Sequence, residues 1–211
     1  MNLIVLGLPG AGKGTQADNI SQRYDIPHIS MGDILRNNKE FATSSGRTVG
    51  EIIDDGDPVG VETLKQLLSK RLDRPDAADG FVLDGFPRTG EQAAAMDDIA
   101  DVDAIIVLNV DEDEIYERLT KRRVCPACGT QYHLKYDPPE QDEICDDCGA
   151  ELTQREDDTH DAIEERINWQ EEGLQEIRNY YRGRDLIEDI DGNQSIEEVW
   201  QDVQEVVEQY V

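Results

Sequence analysis

The feature that most constrains this chain is a glycine-rich segment near its start. Residues 7–15 read GLPGAGKGT, after an apolar run over residues 3–6 and before a helical pattern over residues 15–24. Glycines let a backbone turn tightly and aim its N–H groups at an anion, and the helix that follows adds the positive end of its dipole. Lys13 adds a mobile positive charge. The pattern G-x-x-x-x-G-K between a strand and a helix predicts a phosphate-binding loop.

Strand-like and helix-like patterns alternate along the rest of the chain. Short apolar runs predict five strands, over residues 3–6, 26–29, 81–83, 104–110 and 186–190. Residues 112–122 have helical periodicity, and Ser195 with Glu198 three positions later predicts a capped final helix. Because strands that alternate with helices form parallel sheets, we expect an α/β fold with a five-stranded parallel sheet and helices on both faces.

Two segments do not fit this sheet and are expected to be small inserted subdomains. Residues 31–59 are mostly helical in pattern, and residues 121–158 contain all four cysteines and few core residues. The main domain would then consist of residues 1–30, 60–120 and 159–211. We found no internal repeat that would indicate a different organisation.

The cysteines form two C-x₂-C pairs separated by sixteen residues, and each pair is followed by glycine. This spacing is typical of a tetrahedral zinc site, and a reducing compartment would disfavour the alternative of disulfides. Four thiolates leave no open coordination position, so the zinc would be structural rather than catalytic. The predicted ligands are Cys125, Cys128, Cys145 and Cys148.

The charge balance excludes several classes of partner. The chain has 20 basic and 48 acidic residues, a net charge of −28. A duplex-binding protein or a protein of anionic membrane surfaces needs a basic face, so we expect neither nucleic acid nor membrane as a partner. Because no apolar run has a membrane-spanning length and the start is unlike a signal peptide, we expect a soluble cytoplasmic protein. The evenly spread acidic residues favour a salt-rich cytoplasm, as in a halophilic archaeon.

Several arginines stand at predicted strand ends or beside the cysteine segment. An arginine binds phosphate with two parallel hydrogen bonds and stays charged, which is what phosphoryl transfer requires of a protein. Arg118 and Arg122, four positions apart, are expected on one helical face. Arg23, Arg71 and Arg178 are expected to form surface ion pairs instead. The candidate phosphate-binding arginines are Arg36, Arg88, Arg118, Arg122, Arg155 and Arg166.

Together these motifs resemble the adenylate kinases of the long type, which carry a zinc-binding lid. The resemblance rests on residues 7–15, on residues 32–36, on LDGFPRT at residues 83–89, on Gln92, and on residues 122–124, 132 and 153–158. It implies a fold of the P-loop NTPase type in which residues 31–59 bind the nucleoside monophosphate. It further implies a monomeric phosphotransferase that converts ATP and AMP into two ADP with Mg²⁺, while residues 121–158 close over ATP.

The resemblance also implies a role for individual positions of this sequence. The residues expected to contact ATP are Gly10, Ala11, Gly12, Lys13, Gly14, Thr15, Arg118, Arg122, Gln131, Tyr132 and Gln194. Those expected to contact AMP are Met31, Arg36, Asp57, Pro58, Val59, Gly85, Phe86, Pro87, Arg88, Gln92, Arg155 and Arg166. The expected catalytic residues are Lys13, Arg88, Arg122, Arg155 and Arg166, and the residues that would position Mg²⁺ through water are Asp33 and Asp84.

Other functions stay open at this stage. Many members of the family have threonine at position 31, where this chain has methionine, so a UMP/CMP kinase or a GTP:AMP phosphotransferase is an alternative. A second alternative is a zinc-ribbon binding module joined to a nucleotide switch, and a third is a structural protein with a degenerate site. A nucleotide panel would separate the kinases, and a lack of AMP-dependent ADP formation would favour the binding module.

Overall fold

The computed structural model describes residues 1–154 and 158–211. The main domain has five strands, which are β1 (Asn2–Gly7), β2 (His28–Ser30), β3 (Phe81–Asp84), β4 (Ala104–Asn109) and β7 (Ile187–Asp191). A small pair of strands in the cysteine segment is formed by β5 (Arg122–Val124) and β6 (Gln131–His133). The helices are α1 (Lys13–Tyr24), α2 (Met31–Asn37), α3 (Val49–Asp54), α4 (Val61–Leu72), α5 (Gly90–Asp97), α6 (Glu112–Thr120), α7 (His160–Tyr180) and α8 (Ile196–Val207), and a short 3₁₀ helix spans Pro75–Ala77.

The five main strands form one parallel sheet in the order β2-β3-β1-β4-β7. Strand β1 lies in the centre, between β3 and β4, so the loop that follows it emerges at the middle of the sheet's carboxyl edge. In α/β sheets, ligands bind outside this edge, where neighbouring connections leave in opposite directions. The predicted α/β fold with a five-stranded parallel sheet is confirmed.

Each face of the sheet is covered by its own core. Leu3 and Val5 belong to one cluster, with residues of α1, α6, α7 and α8, whereas Ile4 and Leu6 belong to the other, with residues of α4 and α5. Alternate residues of a strand point to opposite faces, so an unbroken apolar run such as residues 3–6 is what a sheet buried on both faces requires. Helices therefore pack on both faces of the sheet, as expected.

The two segments that were expected to be inserts leave the sheet at its carboxyl edge. Helices α2 and α3 follow β2, and Thr48 begins α3 with a capping box completed by Glu51. The cysteine segment lies between α6 and α7, pairs β5 with β6 antiparallel, and has a core of its own around Cys125, Cys145, Tyr132 and Leu152. The predicted capping box of Ser195 and Glu198 at the start of α8 is also present.

Several element boundaries differ from the sequence-based expectation, and two of the differences have a clear physical reason. The helix expected over residues 112–122 ends at Thr120, because Arg122 pairs with His133 in β5–β6; Arg118 and Arg122 therefore do not share a helical face. The second strand begins at His28 rather than at residue 26, since Pro27 has no N–H to donate to a neighbouring strand. Among the described residues, no helix is long and apolar enough to cross a membrane.

Candidate active site

The loop between β1 and α1 forms the centre of the candidate site. Gly10 and Gly12 have positive φ angles of 78° and 91°, and Gly12 is the residue from which α1 begins. Lys13 folds back over the loop and donates from Nζ to the carbonyl oxygens of Gly7 at 3.0 Å and Leu8 at 2.8 Å. The loop thus holds its own lysine at the positive end of a helix, which is an anion-binding arrangement.

The charge on Lys13 is shaped by groups from other parts of the chain. The pKa of Lys13 is lowered to about 8, chiefly by burial among protein atoms and to a smaller extent by the charges of Arg88, Arg166 and Arg122, while the charge of Asp84 raises it. Charges act on one another in this way only when they lie near one another. The end of β3, the start of β5 and helix α7 therefore bring three of the predicted arginines to the loop.

The LDGFPRT segment places Arg88 just beyond the end of β3. Its Nε donates to the carbonyl of Gly85 at 2.9 Å, and its backbone N–H donates to Oε1 of Gln92 at 2.8 Å. The Arg88 side chain is exposed, yet crowding by protein atoms lowers its pKa, with Asp84 opposing and Arg166 adding to the effect. A guanidinium remains charged under such a shift, so Arg88 is a fixed cation at the mouth of the site.

Asp84, at the end of β3, faces the phosphate loop. Its Oδ2 is 3.9 Å from the point where a Cβ of Gly14 would lie, and its Oδ1 is buried with no hydrogen-bond partner in the described part of the chain. A buried carboxylate oxygen without a donor fits a place beside the water shell of a divalent cation. Asp33, the other residue expected near Mg²⁺, is exposed and pairs with Arg36 at 2.7 Å.

The residues expected to contact AMP lie around the end of β3 and in the 31–59 segment. Met31 is buried and its Cβ is 3.9 Å from the position that a Cβ of Gly85 would occupy. Phe86 and Pro87 are buried, whereas Arg36 and Asp57 are exposed. The Asp57 carboxylate accepts a hydrogen bond from Arg47 at 2.7 Å, so the Asp57 side chain pairs with another residue of the 31–59 segment.

The residues expected to contact ATP come from α6, the cysteine segment and the loop between β7 and α8. Arg118 donates to Oε1 of Glu114 and to the carbonyl of Gly192, both at 2.8 Å. Nε2 of Gln194 donates to the carboxylate of Asp202 at 2.7 Å. The backbone of Gln194 is therefore the group expected to contact a nucleotide. Gln131, also expected on the ATP side, is exposed.

A buried carboxylate joins two of the predicted catalytic arginines. Asp158 is 1% exposed and accepts from Arg122 at 2.9 and 2.6 Å and from Arg166 at 3.3 Å. A buried charge persists only when it is paired, so Asp158 fixes both guanidinium groups. The sequence places Asp158 in the family motif at residues 153–158 but does not indicate that it pairs with Arg122 and Arg166. The predicted Arg155 lies outside the described residues.

The four cysteines form one cluster, as their spacing predicts. All four sulfur atoms lie within 4.8 Å of one another, with Cys125 and Cys145 buried and Cys128 and Cys148 exposed. Two sulfur–sulfur distances are 3.4 and 3.5 Å, close to the roughly 3.8 Å expected for thiolates that share a tetrahedral zinc ion. The donor set therefore fits zinc.

Tyr132, which was expected to contact ATP, lies in the core of the cysteine segment. Its hydroxyl is 3.6 Å from Sγ of Cys145 and accepts from the backbone N–H of Asp146 at 2.8 Å. The hydroxyl of Tyr132 therefore points at the predicted metal ligand Cys145 and not at the surface of the segment. Only the backbone of Tyr132 is left to face a nucleotide.

A family model and several known proteins are similar to this chain over most of its length. A family model described as adenylate kinase matches residues 5–186. An adenylate kinase of Archaeoglobus fulgidus is 43% identical over 213 residues, which cover 99% of this chain and 98% of that protein. Adenylate kinases of Oceanobacillus iheyensis and Methanocella arvoryzae are 41% and 42% identical, and in each case at least 98% of both chains is covered.

Proposed function

We propose that this chain, which belongs to the adenylate kinase family, transfers the terminal phosphate of ATP to AMP and forms two ADP with Mg²⁺. The observation that carries the proposal is the set of cations around Lys13. Arg88, Arg122 and Arg166 come from three regions of the chain, and all of them act on the charge of that lysine. In a protein of net charge −28, such a cluster fits a pair of polyanionic substrates.

On the ATP side, the loop at residues 10–15 would hold the donor phosphates through backbone N–H groups and Lys13. Arg118 and the backbone at Gln131, Tyr132 and Gln194 would hold the nucleoside. These groups belong to α6, β6 and the loop after β7, and α6 packs against the phosphate loop, since Leu119 lies 3.1 Å from the point where a Cβ of Gly10 would be. The positioning of the donor in this way is most of what phosphoryl transfer asks of a protein.

On the AMP side, Arg36, Arg88 and Gln92 would supply the polar contacts and Met31 an apolar one. Gln92 accepts from the backbone N–H of Arg88 through its Oε1, and its amide N–H₂, which has no hydrogen bond to any described residue, would read an adenine edge. The remaining predicted AMP contacts, at residues 57–59 and 85–87, would act mainly through the backbone. Base choice depends on few contacts, so a kinase for another nucleoside monophosphate is the alternative that the assay must test.

In the transfer itself, Lys13, Arg88, Arg122, Arg155 and Arg166 would surround the migrating phosphoryl group. Their positive charges would stabilise the charge that spreads over its oxygens, while Asp158 keeps two of them in place. Asp84 with Asp33 would hold Mg²⁺ through its water ligands, and the ion would neutralise negative charge on the donor phosphates. Closure of residues 31–59 and 121–158 over the substrates would exclude water, which would otherwise compete as acceptor.

The lid at residues 121–158 would carry a structural zinc ion on Cys125, Cys128, Cys145 and Cys148. The segment is small and polar, and the described part of it contributes four buried residues to its own core. A metal supplies the folding free energy that such a core lacks. The hydroxyl of Tyr132 would donate to the thiolate of Cys145 and so support a ligand.

We further propose that this protein is monomeric and cytoplasmic. Its acidic surface suits a high intracellular salt concentration, as in a halophilic archaeon. The net charge of −28 supports this part of the proposal, because self-repulsion of that size is screened at molar salt.

A coupled assay of ADP formation tests the proposed function. We expect ATP and AMP to react, and UMP, CMP and GMP to be poor acceptors, at both low and molar KCl. GTP in place of ATP serves as the donor control. Faster turnover with UMP or CMP, or a preference for GTP, would assign the alternative kinase, and ATP binding without any acceptor-dependent ADP would favour the binding module.

A further inference from the structure

Glu114 on α6 joins two other regions that surround the predicted ATP site, the cysteine segment directly and the loop between β7 and α8 through Arg118. Its Oε1 accepts from Nε of Arg118 at 2.8 Å and from the hydroxyl of Tyr136, in the cysteine segment, at 3.0 Å. Arg118 also donates to the carbonyl of Gly192 in the loop between β7 and α8. One carboxylate therefore links a helix, the lid and, through Arg118, a loop more than seventy residues away.

This arrangement differs from an ordinary surface pair on a helix. An exposed glutamate–arginine pair four residues apart contributes little to stability and leaves both side chains mobile. Here the Arg118 side chain is 16% exposed and that of Glu114 is 23% exposed, and both have partners outside the helix. Their hydrogen bonds fix two of the three guanidinium nitrogens, so the plane of Arg118 has one orientation.

The sign of the charge also points to a specific role. A carboxylate next to the site of a polyanionic nucleotide repels it, and this chain already carries a net charge of −28. Glu114 is the member of the acidic first turn of α6 that bonds Arg118, whereas Glu112 is exposed and has no contact with that arginine. The repulsion between Glu114 and the nucleotide is offset if Glu114 holds Arg118 in an orientation that favours nucleotide binding.

We propose that Glu114 is a positioning residue for ATP, which acts by fixing the guanidinium plane of Arg118 against the base of the nucleotide. The inference rests on the proposed function, since it takes Arg118 as an ATP contact. A planar guanidinium stacks on aromatic rings, and a fixed one loses less conformational entropy when it does so. The hydroxyl of Tyr136 holds the carboxylate of Glu114 from the lid side.

Steady-state kinetics of three single variants test this role. We expect Glu114→Ala to raise the KM for ATP about fivefold, with the KM for AMP and kcat within about twofold of the wild type. Glu114→Gln keeps an acceptor for Arg118 and should stay within about twofold of the wild-type KM for ATP. Glu112→Ala, the matched control on the same helix, removes the same charge and should not raise either KM.

The double variant Glu114→Ala with Arg118→Ala tests whether the effect passes through the arginine. If Glu114 acts only through Arg118, the KM for ATP of the double variant equals that of Arg118→Ala alone. Additive effects, an equal rise in the KM for AMP, or identical results for Glu114→Ala and Glu112→Ala would each overturn the inference. A wild-type enzyme with no ADP formation from ATP and AMP would instead refute the proposed function, before any variant is made.

Discussion

At the scale of single residues, the site depends on charges that are held in place by neighbours of opposite sign. Asp158 holds Arg122 and Arg166, Glu114 holds Arg118, and Asp84 acts against the lowered pKa of Lys13. All three carboxylates lower the net positive charge of the site, and Asp158 and Glu114 in addition fix the geometry of the arginines that they bind. Preorganised charges of this kind stabilise a transition state without reorganising during the reaction.

The lowered pKa of Lys13 predicts that nucleotide binding takes up a proton. Below about pH 8 the free lysine is charged, and near pH 9 most of it is neutral. Bound phosphates favour the charged form and raise the pKa, so ATP affinity should fall as the pH rises above about 8. Titration calorimetry with ATP at pH 8.5, in buffers of different ionisation enthalpy, measures this uptake directly. ATP binding without proton uptake at this pH would contradict the lowered pKa.

Loss of Arg88 should abolish most of the catalysis without unfolding the protein. We expect Arg88→Ala to lower kcat by about 10²–10³-fold, as for other residues that stabilise transition-state charge, with little change in the melting temperature. Arg71 provides the matched control, because it forms a surface pair with Asp76 at 2.8 Å. A kcat of Arg88→Ala close to that of Arg71→Ala would show that the site is wrongly assigned.

At the scale of elements, features that are local in sequence could be predicted, whereas contacts between distant segments could not. The phosphate loop, the capping box of α8 and the cysteine pairs depend on residues a few positions apart, and all were predicted. The end of α6 was not, because it is set by the pairing of Arg122 with His133. The role of Asp158 depends on an arginine 36 positions away, and that of Glu114 on the lid, so neither follows from a local pattern.

Removal of the metal should loosen the lid and leave the sheet folded. The lid core and the main cores are separate clusters, so loss of the proposed zinc ion removes support only from residues 121–158. We expect Cys128→Ser to retain less zinc and to be cleaved faster in this segment by a protease, with activity reduced. The partly buried residue Thr43 lies in the other insert, and Thr43→Ser there is the control. Full zinc content and unchanged cleavage of Cys128→Ser would contradict a four-cysteine site.

At the scale of the whole molecule, the acidic surface and the cationic site oppose each other. The net charge of −28 repels ATP and AMP at long range, whereas the arginines attract them within the site. Salt screens long-range repulsion more than it screens contacts between partly buried groups. A salt-rich solvent therefore suits both the stability of the fold and the access of the substrates.

The melting temperature should rise with KCl concentration. The Debye length falls from about 10 Å at 0.1 M to about 3 Å at 1 M, which screens repulsion between surface carboxylates in the folded state. Calorimetry at KCl concentrations from about 0.1 M to above about 1 M measures how the melting temperature changes. Sucrose of equal osmolality is the control, since it stabilises by exclusion from the surface without screening charge. A melting temperature that is constant or falls with KCl would reject adaptation to high salt.

The central claim is that cations from separate regions of the chain converge on one phosphoryl group. A crystal structure with a bisubstrate analogue, in which two adenosines are joined by a chain of five phosphates, tests it most directly. We predict that Lys13, Arg88, Arg122 and Arg166 lie within hydrogen-bonding distance of the phosphate oxygens, with one adenosine beside Arg118 and the other beside Gln92. Guanidinium groups that point into solvent, away from a bound analogue, would contradict the claim.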